Sequence, residues 1–158
     1  MKHIIGISDM KASNQSSDIL VTYSLGSCVG VSVFDPVAGV GGMIHCMLPL
    51  SKMDQEKAWK NPCMFVDTGV PKLFEKAYGL GARKERIILK VAGGSRILDE
   101  KGMFRIGERN YAVLRKILWK NNVLINAEDV GGKISRTMSL HMSTGQVTIK
   151  SCNGLMEL

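Results

Sequence analysis

Between Ile19 and Leu48 the chain offers three short apolar runs with only turn residues between them, which leaves no room for a helix. Ile19–Leu25 and Val29–Phe34 are rich in β-branched residues and are separated by Gly26-Ser27-Cys28, so they read as two strands with a tight connection. Asp35-Pro36 signals a turn, and Val40–Leu48 reads as a third strand closed by Pro49. Strands that follow one another this closely exclude a regular βαβ repeat.

Alternation assigns the faces. Val29, Val31 and Val33 share one side of their strand, with Cys28, Gly30, Ser32 and Phe34 on the other; Met43, His45 and Met47 oppose Ile44, Cys46 and Leu48. The segment 51–62 is polar and suits an exposed loop. The period then changes: Val66, Val70, Leu73, Phe74, Ala77 and Tyr78 have helical spacing, with Pro71 predicting a late start or a bend. Arg86–Ala92 is a predicted strand, and Glu108–Asn121 a second helix. Strands return at 123–129, 134–142 and 146–150, the last two forming a hairpin across Ser143-Thr144-Gly145. About eight strands and two main helices in mixed order predict a single α+β domain over residues 1–158, with a mixed β-sheet or sandwich core. At 158 residues such a core needs no metal or disulfide to hold it.

Charge and cysteine usage narrow the function classes. The net charge of +7 is uneven: residues 1–60 hold five bases and five acids, whereas 72–120 hold thirteen bases and five acids. No run of five or six like charges forms a basic tail, and no basic-aromatic motif accompanies the excess. A solvated basic face is therefore expected, and nucleic acid is not an expected partner. The longest weakly polar stretch, 37–50, falls short of the ~20 residues a spanning helix needs, so no membrane insertion is expected. Cys28, Cys46, Cys63 and Cys152 show no Cys-x-x-Cys spacing, and the start of the chain does not read as a signal peptide; free thiols in a reducing, cytoplasmic setting follow. Neither a cofactor nor a metal is expected. His45 and Cys46 are adjacent on one strand and point to opposite faces, Gly93-Gly94-Ser95 lacks the frame of a phosphate loop, and Gly131-Gly132 reads as a tight turn.

Cys28 and His45 are the residues with chemical potential. A cysteine at the mouth of a strand can present its sulfur at the sheet end, and Gly26 before it allows a substrate backbone close approach. A thiol becomes a good nucleophile when an imidazole holds its proton, and a third group on the far ring nitrogen fixes the tautomer. Thr22, on the preceding strand, can supply that hydroxyl. The backbone N–H of Cys28 and one from Gly26-Ser27 are candidate oxyanion donors.

The run Val21-Thr22-Tyr23-Ser24-Leu25-Gly26-Ser27-Cys28-Val29-Gly30-Val31, with Gly41-Gly42-Met43-Ile44-His45-Cys46-Met47-Leu48-Pro49, resembles the CheD family of chemoreceptor glutamine deamidases. The likeness continues through Lys90–Gly94, Ile106–Asn110, Asp129–Gly132, Arg136 and Thr144-Gly145. It implies Cys28 as nucleophile, His45 as base and Thr22 as orienting hydroxyl, the same three residues. It also implies a cysteine-hydrolase fold like that of the cytotoxic necrotizing factors, and hydrolysis of glutamine side chains on methyl-accepting chemotaxis receptors. A CheC-type phosphatase is the family's usual partner, although some members act without one. A weakly catalytic adaptor that binds receptors or such a phosphatase is the alternative. Tyr23-Ser24, Cys46 and Ser95 depart from the commoner family pattern without removing a catalytic group.

Overall fold

The computed structural model describes residues 1–96 and 105–158. Among these, ten strands form two five-stranded sheets. The strands are β1 (Lys2–Ile4), β2 (Asp9–Ser13), β3 (Ile19–Leu25), β4 (Val29–Asp35), β5 (Val40–Cys46), β6 (Ile88–Gly93), β7 (Ala127–Val130), β8 (Arg136–His141), β9 (Gln146–Ser151) and β10 (Gly154–Glu157). One sheet runs β1-β3-β8-β9-β10 and the other β2-β5-β4-β6-β7; each mixes one parallel pair with antiparallel ones. The helices are α1 (Gln55–Lys60), α2 (Val66–Gly79) and α3 (Ile106–Lys120). The predicted α+β class, with a sandwich core and two main helices, is the observed one.

Two cores separate three layers. Leu20, Leu25, Phe34, Met43, Met138, Leu140, Val147 and Ile149 fill the space between the sheets. Val29, Val31, Val33, Ile44 and Cys46 face the other way, against Leu73 and Phe74 of α2 and Leu114 and Leu118 of α3. The alternation predicted for β4 and β5 is thus the observed one, because residues two apart share a face and both faces of this central sheet are buried. His45 lies on the inter-sheet side, in the company of Met43.

The β3–β4 connection is tight, as expected, and leads from one sheet to the other, since β3 pairs with β1 and β8 while β4 pairs with β5 and β6. Three expectations need correction. Helix α2 neither starts late nor waits for Pro71, which lies inside it. Its start is anchored instead by the first-turn donors, Val66 N–H and Asp67 N–H, on the carbonyls of Leu48 and Pro49. Segment 51–62 is exposed, as expected, yet it is no loop: α1 is flanked by 3-10 turns at Ser51–Met53 and Pro62–Met64. Asp54 caps α1 by accepting from Lys57 N–H, Asp67 accepts from Ser51, and Asn61 ties the segment to Ser8 O. The strand predicted at 123–129 shrinks to β7, and Leu124 within the predicted span is exposed. The short strands β1, β2 and β10 were not predicted. No described helix is long and apolar enough to cross a membrane.

Candidate active site

The central sheet and the β1-containing sheet meet at His45. This residue pairs with Gly30 in the β4–β5 ladder, so its side chain shares a face with Gly30 and, two residues along, with Cys28. From the opposite sheet, Thr22 reaches across the sandwich to place Oγ1 2.6 Å from His45 Nδ1. Both side chains are fully buried. A β-bulge between Thr22 and Leu25, with Ser24 in the left-handed region at φ 58°, lets Thr22 face His45 while Leu25 still turns into the inter-sheet core.

The hydrogen bonds settle the tautomer. Thr22 has one hydroxyl proton, and Oγ1 lies 2.7 Å from Ile5 O, to which it donates. Its oxygen must therefore accept from His45, which puts the ring proton on Nδ1. Nε2 is left with its lone pair and has no hydrogen-bond partner among the described residues. The main chain of β1's C-terminal end thus specifies, through two hydrogen bonds, which imidazole nitrogen can take a proton.

Electrostatics correct one further expectation. The sequence reading has His45 already holding the thiol proton. Burial instead lowers the His45 pKa to about 4 and raises that of Cys28 above the ordinary thiol value. Both effects penalise charge, so the resting pair is a neutral thiol and a neutral imidazole. The Cys28 side chain is only 9% exposed, at the edge between sheets. Cys46 is also buried but belongs to the helix-side core, where burial pushes its thiol well up, and it faces away from His45. Cys63 is buried beneath α2 and Cys152 is exposed.

The peptide bonds around Cys28 are held from two directions. Gly26 N–H donates to Ser24 O at 3.0 Å and is thereby occupied, whereas Ser27 N–H has no acceptor among the described residues and Cys28 N–H lies against its own sulfur. Of the two candidates in the Gly26-Ser27 turn, Ser27 is therefore the one with a donor to offer an oxyanion. On the β6 side, Ser95 N–H donates to Gly26 O and Gly94 N–H to Cys28 O. Gly93 stands at φ 106°, and a Cβ there would lie 2.3 Å from Cys28 O, so only glycine lets the two backbones approach. Arg136, 4% exposed, fastens this corner through Asp129 and the carbonyls of Gly93 and Gly131. From α3, Asn110 Nδ2 donates to Ser27 O at 2.9 Å and to Met47 O at 3.1 Å. Sequence reasoning gave Asn110 no role. Its signal was there to read, as the one amide on the buried stripe Gly107, Asn110, Leu114, Leu118 of α3.

A free thiol, an imidazole of fixed tautomer and main-chain N–H groups at the rim of a β-sandwich are groups of the kind that cysteine hydrolases use for acyl transfer. The chain belongs to the CheD family: residues 47–151 match the family model described as CheD chemotactic sensory transduction. It is 53% identical over 151 residues to a probable chemoreceptor glutamine deamidase of Syntrophus aciditrophicus, covering 96% of this chain and 94% of that one. It is 44% identical over 155 residues to a protein of the same description from Solibacter usitatus, covering 98% and 92%. These relatives span Thr22, Cys28 and His45, which precede the segment matched by the family model. A crystal structure of a Neisseria meningitidis protein matched by the family model DUF152 is similar with a TM-score of 0.48 at 8% identity, covering 82% of this chain and 63% of that one.

Proposed function

We propose that this protein is a glutamine deamidase acting on methyl-accepting chemotaxis receptors, with Cys28 as nucleophile, His45 as general base and Thr22 as the group that orients it. The observation that carries the reading is the fixed His45 tautomer, whose free Nε2 lies on the face that Cys28 shares. Membership of a family whose relatives are described as chemoreceptor glutamine deamidases supplies the substrate class.

In the first half-reaction His45 Nε2 takes the Cys28 thiol proton as sulfur bonds to the glutamine carbonyl carbon. The imidazolium that forms still donates through Nδ1 to Thr22. The carbonyl oxygen becomes an oxyanion, for which the N–H groups of Ser27 and Cys28 are the donors. Collapse breaks the carbon–nitrogen bond, the imidazolium proton goes to nitrogen, and ammonia leaves. Water then adds to the thioester while His45 takes one of its protons; the carbon–sulfur bond breaks, and the proton returns to sulfur. Glutamate and the free thiol result. Receptor cytoplasmic helices as substrate assign the protein to the cytoplasm. A CheC-type phosphatase is the expected regulator, detected as slower deamidation when it is added.

The test is mass spectrometry of a chemoreceptor cytoplasmic fragment incubated with the protein. Wild type should convert selected glutamines to glutamate, and Cys28→Ala should bind the fragment without converting any. Binding without conversion by wild type would leave only an adaptor. Conversion by Cys28→Ala would remove Cys28 from the mechanism.

A further inference from the structure

Asn110 joins the two halves of the proposed catalytic machinery. One Nδ2 proton goes to Ser27 O, in the loop that carries the nucleophile, and the other to Met47 O, two residues beyond His45. The side chain is fully buried, and both of its donors are spent on carbonyls of the main chain. Its Oδ1 has no partner among the described residues.

The consequence lies in the geometry of a trans peptide. The chain has no cis peptide bond among the described residues, so each C=O points opposite to the N–H across the same peptide. Holding Ser27 O from the α3 side therefore directs Cys28 N–H away from α3. In the same way, the Ser95 N–H bond to Gly26 O directs Ser27 N–H away from Ser95. The N–H groups of Ser27 and Cys28, the second of which lies against the Cys28 sulfur, are thus each fixed from behind, by a hydrogen bond to the carbonyl of their own peptide.

We infer that Asn110 is a positioning residue for deamidation, which holds the Ser27–Cys28 peptide so that Cys28 N–H is preorganised to receive the oxyanion. The inference rests on the proposed deamidase reading and adds a residue to it. Asparagine suits the task where aspartate does not: a carboxylate of the same shape has no N–H to give and would set negative charge against two carbonyl oxygens.

Asn110→Asp, with Asn110→Ser as a smaller neutral variant, tests this on the full-length protein. Two rates are measured for each variant beside wild type: deamidation of the receptor fragment, and alkylation of Cys28 by iodoacetamide, a displacement at carbon that forms no oxyanion. The expected result is a fall in deamidation kcat of about 10²-fold, the size of effect seen when one oxyanion donor is lost. In the neutral variant Asn110→Ser, KM and the alkylation rate should stay within about twofold of wild type, since neither depends on an oxyanion donor. Parallel loss of alkylation and deamidation in both variants would mean that Asn110 merely keeps the loop folded, and unchanged deamidation would show it to be dispensable; either overturns the inference. A wild-type protein that does not deamidate at all would instead sink the functional reading beneath it.

Discussion

His45 carries the most information of any single residue. Strand alternation, residue types that suit acyl transfer and a family resemblance singled it out together with Cys28 and Thr22, and the structure brings Thr22 to its ring. Its charge state was not legible in the sequence, because that depends on desolvation between two sheets, and nothing in the linear pattern places β3 across from β5. The pKa shift makes a prediction about rate. A base works only when unprotonated, and burial lowers the His45 pKa to about 4. As pH falls, deamidation should therefore persist through the range around the ordinary histidine value and decline only near the lowered one. Cys28 is raised rather than lowered, so the free enzyme should show no thiolate plateau near neutrality. Single-turnover deamidation followed from pH 8 down to pH 4.5 checks the first point. A half-maximal rate near pH 6.5 would mean that His45 titrates as an ordinary histidine and that the pair is closer to an ion pair than the geometry implies.

At the scale of elements, the pattern-based reading succeeded where a side-chain period fixes burial on both faces, as in β4, β5 and α3. It failed where main-chain partners do the work. Strand β1 has three residues and β10 four, too few to display alternation, and they owe their existence to pairing with β3 and β9. Helix α1 has no buried residue, so it has no apolar period to detect and depends on its caps. The pairing of β4 with β6 shows the same dependence at the site. Gly93 combines a positive φ with a Cβ position that collides with Cys28 O, whereas Gly79, at the end of α2, has nothing within 4 Å of its Cβ position. Gly93→Ala should cost roughly 1–3 kcal/mol of stability from backbone strain and should also abolish deamidation, because the carbonyl it displaces belongs to the nucleophile. Gly79→Ala should be neutral or stabilising by up to about 1 kcal/mol, through helix propensity alone. Urea titrations with parallel activity assays distinguish the two. An active, stable Gly93→Ala protein would show that the β6 corner tolerates more movement than its contacts indicate.

The whole molecule distributes charge in a way the sequence only outlined. Some of the basic excess in 72–120 is committed to structure: Arg86 pairs with the buried Asp35, and Lys90 donates to the main chain of Leu158. Arg109, by contrast, is exposed at the start of α3, one residue before Asn110, and Arg96 follows Ser95. Arg96 pairs with Glu108 at 3.9 Å, so the positive potential that an acidic helix would meet there at low ionic strength comes from Arg109. The interior pulls the other way, since it holds a histidine that cannot readily charge. In the unfolded chain His45 takes a proton as pH falls through about 6.5, whereas in the folded protein it resists until about 4. Between those values the unfolded state binds more protons, so stability must fall with falling pH. The sandwich should be about 2 kcal/mol less stable at pH 5 than at pH 7 from this residue alone. Asp35 adds nothing in that window: its carboxyl is held well below the usual range by Arg86 and by backbone N–H groups, so its contribution is lost only in stronger acid. The measurement is a difference, with urea unfolding at pH 7 and pH 5 for wild type and for His45→Gln, which removes the titrating group. The variant should lose about 2 kcal/mol less than wild type over that interval. Equal losses would show that His45 is not the group whose burial the two sheets enforce.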